Sequence, residues 1–201
     1  MPRPRRDNAG MDAQAQAVLD VWFGEPPTTT PRAEWFRKDP ACDDTIRTRF
    51  GALVEQALAG GLRDWDGAPG GALARIVLLD QFTRNVFRDT PRAFAGDALA
   101  LAAAQAMVAS CDDRRLAPLE RWFVYLPFEH AEDLGVQRES LRLFGVLAEE
   151  SPAVGGDALL WARKHFDVIA RFGRYPHRNA LLGRPSTPEE VAFLRKPGSS
   201  F

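Results

Sequence analysis

Apolar residues recur along this chain with the step of an α-helix, and no stretch shows the β-branched alternation of a strand. Ile46, Phe50, Leu53, Val54, Ala57 and Leu58 carry the i, i+4, i+7, i+8 stripe of an amphipathic helix. Asp39-Pro40 reads as its N-cap and first residue, and Gly60-Gly61 as its stop. Similar punctuation predicts helices over residues 12–23, 71–87, 97–110, 136–149 and 157–172, the last ended by Gly173 and Pro176. Another opens at Pro118, where Pro127 is expected to kink it or to start a new helix, because proline has no N–H to donate. Thr187-Pro188-Glu189-Glu190 is a capping box that opens a last short helix. The segment 97–110 is Ala, Leu, Val and Met almost all round, as in a helix buried on most sides. The fold class that follows is all-α: antiparallel helix pairs in a bundle or tetratricopeptide-like α-α superhelix of about eight helices. Trp-Phe occurs at 22–23, 35–36 and 122–123, but the unequal spacing is no repeat period.

Length and composition narrow the setting. With 201 residues, 45% hydrophobic and 26% charged, the chain has the balance of a globular protein. One domain over residues 12–201 is expected, preceded by a tail over 1–11, with Met11 an alternative start. The tail holds Arg3, Arg5 and Arg6 but no apolar core behind them, so it is not a secretory signal, though a mitochondrial-type address would also be arginine-rich. Lys+Arg is 26 and Asp+Glu 27, without the basic surplus of a general nucleic-acid binder. No apolar run approaches the roughly 18 residues of a membrane span. Cys42 and Cys111 stand far apart, without metal spacing or a disulfide framework, which makes the cytoplasm the expected compartment.

Three polar segments interrupt the apolar pattern. In residues 79–88, Asp80 and Arg84 occupy places on the helical stripe where apolar residues belong, one turn apart, with Asn85 beside them. Buried charges must be paired, so this is either an internal salt bridge that fixes helix docking or a polar pocket inside the bundle. In residues 126–133, Glu129 and His130 lead an acidic cluster. Such groups could serve acid–base work, but adjacent positions lie about 100° apart on a helix and make a poor metal site. In residues 171–179, His177, Arg178 and Asn179 sit in a Gly/Pro-shaped loop after a helix C-terminus, where cations also complement the helix dipole. His165, between Trp161 and Phe172, reads as a satisfied histidine at the core edge. There is no Gly-x-Ser-x-Gly, no phosphate-binding Gly-x-x-x-x-Gly-Lys and no Cys-x-x-Cys. No metal and no cofactor is implied.

Several motifs in one order resemble the DUF924 family over nearly the whole chain after Met11. They are Val18-Leu19-Asp20-Val21-Trp22-Phe23-Gly24, Trp35-Phe36-x-Lys38-Asp39, Asp80 to Asn85, Leu126-Pro127-Phe128-Glu129-His130, Phe172 to Asn179, and Arg184-Pro185-Ser186-Thr187-Pro188-Glu189-Glu190. The family pattern has proline where Thr83 stands, serine where Ala131 stands and phenylalanine where Tyr175 stands. None of these changes removes a charged group, but Ala131 takes a hydroxyl from any site. The resemblance implies a tetratricopeptide-like α-α fold and no assigned activity.

Three functions remain open on the sequence. A binding module would gather Asp80, Arg84, Asn85, Glu129, His130, His177, Arg178 and Asn179 into one pocket for a small anionic ligand or a peptide. A hydrolase would use His130 or His177 as base, with Arg84 or Arg178 facing an anionic transition state. A structural protein would use the same groups only to lock its helices.

Overall fold

The computed structural model describes residues 11–24 and 29–199. The expected tail lies outside the described residues but for Met11, as do positions 25–28 of the Pro/Thr-rich connection. Among the described residues there is no strand. The helices are α1 (Ala13–Phe23), α2 (Pro40–Leu58), α3 (Pro69–Val77), α4 (Thr83–Val86), α5 (Asp97–Ala109), α6 (Pro118–Glu129), α7 (Leu134–Glu150), α8 (Pro152–Phe172) and α9 (Pro188–Leu194). A π-helical turn, Leu78–Phe82, joins α3 to α4 without a break. Counting that rod once gives eight helices among the described residues, the all-α architecture that the periodicity implies. None of them is long and apolar enough to cross a membrane.

The caps follow the side-chain chemistry. Asp39 accepts the N–H groups of Ala41 and Cys42 ahead of Pro40, and Thr187 and Glu190 close their reciprocal box at α9. Gly173 ends α8 at φ 69°, a left-handed conformation that a side chain would strain. Two expectations need correction. Pro127 does not open a new helix; it lies inside α6, near the end of a helix in which every residue from Leu119 to Glu129 is buried. Helix α8 starts at Pro152 rather than near 157, and Gly155 within its first turns serves packing. A Cβ at Gly155 would lie 2.4 Å from the Ala148 nitrogen of α7, so the two helices run together at a distance only glycine permits.

Helix α6 is the axle of the core and packs against α3, α5, α7 and α8. Rings from each of the three Trp-Phe pairs, Trp22, Phe23, Trp35 and Phe123, share one aromatic nest. The Phe123 ring lies 4.7 Å from Trp35, 5.2 Å from Phe23 and 5.6 Å from Trp22, and Trp22 meets Phe82 at 5.5 Å. Edge-on contacts of this kind add about 0.5–1.5 kcal/mol each beyond area burial. The nest anchors the front of α6 against the π turn. It thereby fixes where the polar residues of both elements come together.

Candidate functional site

The π turn explains how a charged residue enters the core. Its wider winding sends the Thr83 N–H back to the Leu78 carbonyl instead of the Leu79 carbonyl. The Leu79 oxygen is satisfied by the Thr83 hydroxyl at 2.7 Å. The extra residue swings Asp80 inward, where its side chain is 1% exposed. Its Oδ1 accepts from His130 Nδ1 at 2.7 Å, its Oδ2 accepts from the Gln81 amide, and Arg84 Nη1 stands 3.6 Å from Oδ1. Arg84 also donates to the Asp80 carbonyl. Burial opposes ionisation of Asp80, but the positive potential and hydrogen bonds it meets at His130, Arg84 and Gln81 outweigh it. Its carboxyl is held well below the usual carboxylate range. An ionised carboxylate only accepts, so Nδ1 of His130 carries the proton and Nε2 keeps a lone pair. Burial, with the charge of Arg84 behind it, pushes His130 below the ordinary imidazole value, which keeps the ring neutral.

The first residue of α5 supplies the next link. Asp97 Oδ1 lies 3.0 Å from Arg84 Nη1, and its Oδ2 accepts from Arg178 Nη1 at 3.0 Å. Gly96 makes this approach possible, since a Cβ there would sit 2.0 Å from the Leu79 oxygen of the π turn. The guanidinium of Arg178 is held between the Phe94 ring, 4.7 Å away, and the Tyr175 ring, 4.6 Å away. With both faces covered, only its edges can bond. Burial and the neighbouring charge of Arg84 pull Arg178 below its ordinary value, against Asp97. Two buried donors remain without partners: Nη2 of Arg84 and Nε of Arg178. The cluster is not sealed. Side-chain exposure is 22% for Arg84, 21% for Asp97 and 14% for His130, against 7% for Arg178.

Behind this opening lies a second acid–imidazole pair. His165 Nδ1 is 2.9 Å from the Trp161 carbonyl and 3.0 Å from Glu129 Oε1. The carbonyl can only accept, so Nδ1 donates. Burial pushes Glu129 well above its ordinary value, helped by the charge of Asp80, and pushes His165 down to about 3. Both shifts favour the neutral forms, and a proton held by the carboxyl falls on Oε2, which has no partner. The loop after α8 closes over this pair. The Tyr175 hydroxyl donates to the Glu129 carbonyl and accepts from Gln137 Nε2 at 2.9 Å. His177 packs on Tyr175 with ring centroids 5.5 Å apart, and burial with the charge of Arg178 lowers it to about 4. All 3 histidines of the chain thus gather in one region, His130 and His165 at 6.3 Å. Among the described residues, no three His, Cys, Asp or Glu side chains are placed to hold a metal ion.

The profile described as "Bacterial protein of unknown function (DUF924)" matches residues 18–198. The chain belongs to the DUF924 family. It is similar to a solved structure of the protein of unknown function ATU0120 from Agrobacterium tumefaciens. The two share 37% identity over 94% of this chain and 99% of that one, with a TM-score of 0.81. No curated protein matches the chain.

Of the eight residues that sequence reasoning assembled, this DUF924 chain brings six together: Asp80, Arg84, Glu129, His130, His177 and Arg178. The other two face elsewhere. Asn85 leaves the rod on the side of α2 and donates to Asp43 at 2.8 Å, where Arg88 also binds. Asn179 is fully buried in a clamp with Ser186, Glu190 and Arg184. Both are amides that tie helices together. The direct Asp80–Arg84 pair also needs revision: His130 is the nearer partner of Asp80, and Asp97 the nearer carboxylate to Arg84. Sequence reasoning missed Asp97, an unremarkable first residue of an alanine-rich helix, and the bond of His165 to Glu129. Phe94, which covers Arg178, sits in the short 3-10 turn Pro91–Phe94, which has no pattern of its own. Thr83 gives the π turn two bonds, from its N–H to the Leu78 carbonyl and from its hydroxyl to the Leu79 carbonyl, that the proline expected there from the family pattern would not make; the Tyr175 hydroxyl likewise adds bonds that phenylalanine would lack.

Proposed function

We propose that this DUF924 protein binds a small anionic ligand, through a carboxylate or phosphate group, between Arg84 and Arg178. The observation that carries the reading is the pair of buried guanidinium N–H groups, Arg84 Nη2 and Arg178 Nε, left without acceptors. A buried donor on a charged group costs at least about 1–3 kcal/mol when unmade. An anion with two oxygens satisfies both through short charge-assisted bonds. The two cations share Asp97, while Asp80 is engaged by His130, so an added negative charge relieves the repulsion that lowers Arg178. His130 Nε2 offers an acceptor to a donor on the same ligand. With side-chain exposure no higher than 22% across the cluster, a small molecule suits it better than a peptide does.

The wider setting supports this use. Helix pairs compatible with a tetratricopeptide-like stack, in a single domain over residues 12–201, hold a preformed site on rigid elements. The net charge of -1 favours a small metabolite over nucleic acid as partner. Free cysteines at 42 and 111 and the lack of a crossing helix among the described residues agree with work in the cytoplasm. Thermal-shift titration tests the reading, with inorganic phosphate and succinate as anions and succinamide as the neutral control. Both anions should raise the unfolding midpoint of the wild type, succinamide should not, and Arg178→Ala should abolish the response. If neither anion moves the midpoint and Arg178→Ala mainly lowers it, the cluster is a structural lock.

A further inference from the structure

We infer that the site is also catalytic, with His130 as the general base for water attacking the carbonyl carbon of an ester whose own carboxylate is held by Arg178. The inference rests on the anion-binding reading and adds chemistry to it: of the two donors that a small anion would bridge, an ester's carboxylate takes Arg178 Nε and its carbonyl oxygen takes Arg84 Nη2. Four observations support it. His130 Nδ1 is fixed on a buried, ionised carboxylate at 2.7 Å, which sets ring orientation and tautomer together. Among the described residues nothing bonds Nε2, and the ring keeps access to the opening. Arg84 approaches the same Asp80 oxygen that His130 uses, so its guanidinium lies next to the imidazole, with Nη2 unspent. The anchoring cation, Arg178, is a different group one carboxylate further along, so holding the substrate and stabilising its reacting end fall to separate residues.

The step balances with water as the only co-reactant. A water proton passes to Nε2 of His130 as the water oxygen bonds to the carbonyl carbon. The negative charge that develops on the carbonyl oxygen faces Arg84. Collapse breaks the bond from carbon to the leaving oxygen, which takes the proton back from Nε2 and departs as the alcohol. Asp80 is a positioning residue: it holds the tautomer and stabilises the imidazolium. His177 is a poorer base, since its ring packs on Tyr175 while burial and the charge of Arg178 depress its basicity.

The probes are para-nitrophenyl fumarate, a monoester with a free carboxylate that cannot attack its own ester, and para-nitrophenyl crotonate, its neutral counterpart with a methyl group in place of the carboxylate. The full chain should hydrolyse the fumarate at least about tenfold faster than the crotonate, and inorganic phosphate should compete. His130→Gln and His130→Ala, both checked for folding by circular dichroism, should lose about a hundredfold or more of the rate. The rate should rise with pH as His130 loses its proton and then level off. That ring is faced by Asp80 and Arg84 from the π-turn rod, Asp97 from α5, His165 from α8 and His177 from the loop. Asp80→Asn should lower the plateau and move the midpoint to lower pH, because Asp80 is what holds His130 up; a merely structural role would leave the midpoint in place. Hydrolysis at the buffer rate, or equal rates in the wild type and both His130 variants, overturns the inference. If fumarate itself still raises the unfolding midpoint in that case, the anion site stands without the catalysis; if it does not, both readings fall.

Discussion

Replacing Glu129 with glutamine should change stability with a sign that depends on pH. The carboxyl is buried at the end of α6, one oxygen faces His165, and the other has no partner. Burial raises its proton affinity well above the ordinary value of 4.5. Between that unfolded value and the raised folded one, the folded chain holds a proton that the unfolded chain has released. Stability therefore falls as pH rises through this window, by about 1.4 kcal/mol per pH unit for one proton. It is fully present below the unfolded value and exhausted above the folded one. Glutamine has the same shape and no such dependence. Its amide, however, puts two donors where the carboxyl had one, at a cost of about 1–3 kcal/mol if the added one finds no acceptor. The variant should then be the less stable protein at the acid end of this window and gain on the wild type as pH rises through it. Urea denaturation in unit steps from about pH 5 to about pH 8, at unchanged m-value, reads the difference directly. Two parallel stability profiles would mean that Glu129 ionises in the fold and would refute the neutral pair with His165.

Other perturbations separate the site from its scaffold. Gly96→Ala places a methyl group where the Leu79 oxygen would be 2.0 Å away, so α5 must retreat from the π turn. A loss of about 1–3 kcal/mol, with weakened phosphate binding as Asp97 leaves Arg84, is expected in denaturation and thermal-shift assays. Unchanged stability would show that the contact yields easily. Asn85→Ala removes the amide from Asp43, which keeps its two bonds from Arg88. About 1 kcal/mol of stability should go, and anion binding should stay within twofold of wild type; a larger binding loss would return Asn85 to the site.

The sequence carried the helices because burial of one face imposes a period and because proline, glycine and capping side chains mark ends. It also carried Asp80 and Arg84, since charges on an apolar stripe violate the pattern. Their true partners were hidden for physical reasons. The π turn Leu78–Phe82 has no sequence signature here, yet it rotates everything after it, sending Asn85 to α2 and Asp80 toward His130. Asp97 looked like an ordinary first-turn acid, favoured there by the helix dipole; only the Gly96 approach to Leu79 makes it a bridge between two arginines. His165 fits a core edge by period, and nothing local says that its neighbour is Glu129. Contacts between residues far apart in the chain decide such roles, and periodicity within one helix does not record them.

The central claim is that Arg84 and Arg178 together hold an anion through donors that are unmade in the free protein. The most direct measurement follows the arginine Nε–H resonances by ¹H–¹⁵N NMR while inorganic phosphate is titrated in. The Nε–H of Arg178 should shift downfield along a saturable curve and become slower to exchange with water, and Arg84→Ala should weaken the midpoint concentration at least about tenfold. A resonance that stays in place at phosphate concentrations where exposed arginines respond only weakly and without saturation would contradict the account.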